Sequence, residues 1–195
     1  MVKLSLEMMR RFNIPEVHWG ASLADIPNTC RHKKPVRDYL DSITDNVNKA
    51  SGVLFFGEYS SGKSALAAIC LKAAAVKGIV SYWVVARDIP GLAIEKPLFE
   101  PGVTVYERCL SVPLLVVDEL QVRAEIRGIE QFVEMLIRAR VDAKRCTILT
   151  TNHTPAYLAE KFPAMYAVLQ EAVTPIKVTG HDFRKGIANK RSGVS

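Results

Sequence analysis

No run of apolar residues in the sequence approaches the ~18 needed to cross a bilayer, so no spanning helix is expected. The opening stretch, Met1 to Phe12, is broken by Lys3, Glu7, Arg10 and Arg11 and lacks the apolar core of a secretory signal. A cytoplasmic location and no membrane partner are the expectations. Cysteine is scarce: Cys30, Cys70, Cys109 and Cys146 lie far apart, with no C-x-x-C pair. That spacing argues against a zinc ribbon or a disulfide frame and suits reduced, mostly buried thiols. There is also no internal repeat and no low-complexity tract, which removes solenoids and long disordered segments from consideration.

What remains is the balance of an ordinary globular chain, 195 residues with 49% hydrophobic and 24% charged. One α/β domain accounts for that length, and such a chain buries roughly 70% of its unfolded surface without staples. The net charge of +6 permits an acidic polymer as partner without requiring one. The basic residues fall in three groups: Arg31, Lys33, Lys34 and Arg37; Arg138, Arg140, Lys144 and Arg145; and Arg184, Lys185, Lys190 and Arg191. A solvated face is the ordinary explanation of any one of them.

Unbroken apolar runs predict strands at 52–56, 79–86, 114–118, 146–150 and 176–179. Between them, helical spacing or capping signals predict helices at about 63–77, 128–141, 155–161 and 164–172, with mostly helical structure over 21–50. Thr154-Pro155 is a cap and first-turn pair, and Gly78 is a stop. Pro90, Pro97 and Pro101 break the region after the second strand into short pieces. Strands alternating with helices predict a parallel five-stranded sheet covered on both faces, with ligands beyond the carboxyl ends of the strands.

Three strand ends carry the chemistry. Gly57, Glu58, Tyr59, Ser60, Ser61, Gly62, Lys63 and Ser64 match G-x-x-x-x-G-K-[ST], and Ala65 follows in the helix. The glycines let the backbone wrap phosphate oxygens with consecutive N–H groups, Lys63 reaches the terminal phosphates, and Ser64 offers a hydroxyl to Mg²⁺. Asp118, at the end of the third strand, is placed to hold Mg²⁺, and Glu119 to activate water as general base. Asn152 ends the fourth strand with an amide suited to sensing the terminal phosphate. ATP and Mg²⁺ are the expected cofactors, with Glu119, Lys63 and Asn152 as catalytic candidates.

These elements resemble a P-loop core of the AAA+ type, and more closely the DnaC/IstB-like family of replicative-helicase loaders and transposition ATPases. The likeness extends to Ile14-Pro15 with 21–26, to the 148–152 stretch, and to the closing Gly180-His-Asp-Phe-Arg184-Lys185. It implies an AAA+ ATPase core over 21–180 with no C-terminal lid domain, a short extension over 1–20 available for partner contact, and a basic tail over 181–195. It further implies a helicase loader that binds single-stranded DNA, hydrolyses ATP weakly when isolated, and acts on a replicative helicase, with possible self-assembly. An IstB-like transposition ATPase acting on duplex DNA, and an ATP-binding adaptor without turnover, are the alternatives. Lys144, Arg145, Arg184 and Lys185 are the candidate DNA contacts. The family places an arginine on the helix before the last strand; here 165–172 has none, leaving Arg138, Arg140 and Arg184 as substitutes.

Overall fold

Each of the five strands pairs only with parallel neighbours, as apolar runs separated by helices dictate. The computed structural model describes residues 4–92, 102–120 and 129–179. The strands are β1 (Gly52–Phe56), β2 (Ser81–Val85), β3 (Leu114–Asp118), β4 (Cys146–Thr151) and β5 (Val173–Lys177), in the order β2-β3-β4-β1-β5. The helices are α1 (Leu6–Arg11), α2 (Lys33–Asp41), α3 (Ile43–Asn48), α4 (Lys63–Val76), α5 (Val105–Ser111), α6 (Ile129–Asp142), α7 (Pro155–Lys161) and α8 (Pro163–Ala172). Residues 93–101 and 121–128, and the basic tail with Arg184 and Lys185, lie outside the described residues.

Strand side chains alternate between two cores, because successive residues point to opposite faces. Val53, Phe55, Val116 and Ile148 pack with α1 to α4, whereas Leu54, Val117 and Leu149 pack on the α5 to α8 side. Both faces are therefore covered. Helix α4 is buried nearly all round, which explains its run of alanines: small side chains let it lie close to the sheet. Among the described residues, no helix is long and apolar enough to cross a membrane.

The residues before Ala21 join this core. Met9, Phe12 and Ile14 are buried in it, the Trp83 backbone N–H donates to the Phe12 carbonyl (3.0 Å), and Asn13 Nδ2 donates to the Trp83 carbonyl (2.9 Å). The segment thus covers part of the outer strand β2.

Two expectations are corrected. The last strand is Val173–Lys177 rather than 176–179. Helix α8 runs into it without a loop, and Pro175 is tolerated because β5 is an edge strand. Arg140, grouped with the surface cations by sequence, is fully buried. It donates to Thr147 Oγ1 (2.9 Å) and to the carbonyls of Cys109 (2.6 Å), Val112 (3.0 Å) and Cys146 (2.5 Å). A guanidinium so spent serves neither DNA nor a neighbouring subunit. It ties α6 to β4 and to the end of α5. Replacing it with leucine leaves those acceptors buried and unpaired, so Arg140→Leu is expected to cost about 2 kcal/mol, read from the denaturant midpoint.

Candidate nucleotide site

The loop between β1 and α4 turns sharply on three positive-φ residues: Gly57 (151°), Ser60 (59°) and Gly62 (97°). A Cβ at Gly57 would sit 2.2 Å from the Val178 carbonyl oxygen, so only glycine fits where the end of β5 passes the loop. Gly62 precedes the first turn of α4 with no side-chain cap. The first N–H groups of this 14-residue helix, at its positive dipole end, are left facing the loop. That is the construction of a phosphate cradle, and it fits the cofactor named from the sequence.

Lys63 folds back over its own loop. Its ammonium donates to the carbonyls of Gly57 (3.0 Å) and Glu58 (2.6 Å) and reaches Ser61 Oγ at 3.4 Å. The residue is 8% exposed. Burial pulls its pKa below the usual lysine value, against the opposing charges of Asp118 and Glu119. Glu58, Tyr59 and Ser60 are exposed at the loop tip, while Ser61 and Ala65 are buried.

The Ser64 hydroxyl donates to Asp118 Oδ1 (2.9 Å), and the Thr150 hydroxyl donates to the same oxygen (2.5 Å). Burial raises the Asp118 pKa; the two hydroxyl bonds partly offset that shift. A serine hydroxyl beside a carboxylate is a hard oxygen pair, the donor set Mg²⁺ prefers. Glu119 follows in a left-handed conformation (φ 54°), unusual for a residue other than glycine. Thr150 stabilises it: its Oγ1 accepts from the Glu119 N–H (2.9 Å) and its carbonyl from the Leu120 N–H (2.8 Å). The turn sends Asp118 inward to Ser64 and leaves the Glu119 carboxylate exposed, 3.5 Å from Arg87 Nη1.

Lys63, Ser64, Asp118, Glu119 and Asn152 therefore all lie at or just beyond the carboxyl edge of β1, β3 and β4. Asn152 is half-buried immediately after β4. Lys144 and Arg145 do not share this face: they precede β4 and so sit at the opposite end of the strands. Sequence reasoning missed Thr150 and Arg87. A polar Thr150-Thr151 pair closing an apolar strand was the available signal for the first. Nothing near Arg87 marked the second.

No protein-family model matches the chain, and no curated protein matches it. Solved structures do. The DnaC helicase loader superposes with a TM-score of 0.71 at 22% identity, covering 85% of this chain and all of that one. DnaI gives 0.70 at 18% identity, with 89% and 98% covered. The replication initiator DnaA bound to AMPPCP and single-stranded DNA gives 0.65 at 13% identity, with 88% of this chain but 55% of that one covered. Strand order, phosphate loop and these superpositions agree: the chain has the AAA+ P-loop NTPase fold, in the form found in the DnaC and DnaI structures.

Proposed function

We propose that this protein is an ATP-binding AAA+ accessory factor of DNA replication, of the helicase-loader kind, with weak intrinsic ATPase activity. The observation that carries the reading is the meeting of Lys63, Ser64, Asp118 and Glu119 at one sheet edge, with Ser64 bonded to Asp118 at 2.9 Å. The superposed DnaC loader and the DnaA initiator supply the replication context. ATP with Mg²⁺ would supply a phosphoanhydride whose charge the metal neutralises. The loop N–H groups and Lys63 would bind the phosphates, Ser64 and Asp118 would hold the metal, Glu119 would accept the proton of the attacking water, and Asn152 would sense the terminal phosphate. The replicative helicase and single-stranded DNA are the proposed partners.

A pull-down of the replicative helicase by this protein, with and without ATP, tests the loader assignment. No retention in either condition removes it and leaves the transposition and adaptor readings; retention that ignores nucleotide removes only a role for ATP in the contact.

The Arg87–Glu119 pair bears on the resting rate. Arg87 and Glu119 side chains are 67% and 46% exposed, so their 3.5 Å contact is a weak one. It still draws the carboxylate toward Arg87. Arg87→Ala is expected to raise basal ATP turnover by at most about fivefold, the equivalent of ~1 kcal/mol. Steady-state ATPase assays of the isolated protein check it; a slower variant shows that Arg87 helps catalysis instead.

A further inference from the structure

Along the outer strand β5 runs an open groove of about 490 Å³ that shares no lining residue with the phosphate loop. One wall is the turn leading into α2, with α2 and α3; the other is Thr174 to Lys177 of β5. Its volume lies within the ~300–1,000 Å³ of small-ligand sites. Each wall contributes an exposed cation, Arg31 from one and Lys177 from the other. Each wall also contributes a rigid apolar ring, Pro35 and Pro175. The carboxylate of Asp38, also lining the groove, is bonded to Lys34 at 2.6 Å, so the local balance stays positive.

Polar groups line the space between. Asn46 spends its amide nitrogen on the Tyr39 carbonyl (3.1 Å), so its side-chain oxygen is the part available to a ligand. His32 lines the groove while 2% exposed, and both its ring nitrogens lack a hydrogen-bonding partner among the described residues. Burial lowers its pKa, so the ring is neutral near pH 7 and carries one donor and one acceptor. Buried polar atoms without partners are uncommon in folded proteins, and a ligand toward which the ring turned would supply one. An added peptide strand is the other occupant an open edge invites, but Pro175 removes a donor from the middle of β5.

We propose that the α2–β5 groove binds one nucleotide unit of a single nucleic-acid strand. Its planar base lies between Pro35 and Pro175 with its polar edge on Asn46 and His32, and its phosphate meets Arg31 and Lys177. The proposal rests on the single-strand part of the function above and assigns its contacts to residues other than Lys144 and Arg145, which do not line the groove. A free mononucleotide has the same chemistry and is separated by the test.

The test uses the full chain with the phosphate loop saturated by AMPPCP, and follows a labelled oligo-dT by fluorescence anisotropy across salt concentrations. The double variant Arg31→Ala/Lys177→Ala is expected to bind the strand about tenfold or more weakly. Its log–log salt slope should be shallower by roughly 0.7, for the one phosphate charge that the variant no longer neutralises. An abasic strand of equal length is expected to bind the wild type more weakly than oligo-dT. Lys144→Glu/Arg145→Glu is expected to retain binding. Unchanged affinity in the groove variant, equal binding of the abasic strand, or a loss confined to the Lys144/Arg145 variant each overturns the groove. Binding of dTMP as tight as that of oligo-dT overturns the strand assignment in favour of a free nucleotide. AMPPCP affinity, measured on every variant, reports folding. Wild type that binds AMPPCP but no strand removes the single-strand function as well; strand binding that survives intact in the groove variant removes the groove alone.

Discussion

Glu119→Gln is expected to bind ATP and Mg²⁺ as the wild type does, and to lower turnover by about 10²–10⁴-fold, the range of a lost general base. The two adjacent carboxylates are separated by geometry. Asp118 is 6% exposed and bonded to Ser64 and Thr150, which suits a metal ligand and leaves it unavailable to water. Glu119 turns the other way through its left-handed backbone and is exposed. An amide there keeps the shape and loses the basicity. Asp118→Asn supplies the contrast, since it should weaken Mg²⁺-dependent binding first. Equilibrium binding and steady-state ATPase, measured on both variants, resolve the roles. Wild-type turnover in Glu119→Gln would place the base elsewhere.

Lys63→Ala is expected to weaken ATP binding by about a hundredfold or more, ~3 kcal/mol, while the fold survives. Among the described residues, the bonds its ammonium makes are to its own loop, at Gly57, Glu58 and Ser61. Losing them removes nothing from either hydrophobic core. The variant gives up a partly desolvated cation that phosphate oxygens would meet in place of those acceptors. Lys63→Arg should not restore binding, because a planar fork does not replace a compact ammonium in so tight a loop. Isothermal titration with AMPPCP, beside a thermal melt, separates the effects. Undiminished affinity in a folded Lys63→Ala protein ends the phosphate-loop assignment.

How much of this was legible depended on whether a property repeats along the chain. The strands at Gly52, Leu114 and Cys146 were readable because parallel strands buried on both faces are unbroken apolar runs. The sharp turn between β1 and α4 was readable because its glycines have a backbone reason to be there. Strand β5 was misplaced because Pro175 argues against a strand until its edge position is known. Arg140 looked like any other surface cation; only the three-dimensional meeting of α5, α6 and β4 turns four acceptors toward it. Arg87 and Thr150 depend likewise on which strands are neighbours, and strand order is not written in local pattern.

Strand order also dictates when the nucleotide loop takes shape. β1 lies between β4 and β5, so Val53 aligns with Ile148 and Thr174, and Phe56 with Thr151 and Lys177. Both neighbours are made long after β1 leaves the ribosome. Pairings this distant in sequence close large loops and form slowly. The glycine loop also needs the end of β5, where the Val178 carbonyl presses on Gly57. During synthesis, the apolar run of β1 therefore waits unpaired, and the glycine loop is complete only once residue 178 has emerged. A nascent-chain series stalled at successive lengths would show nucleotide protection switching on in one late step, rather than growing with each strand.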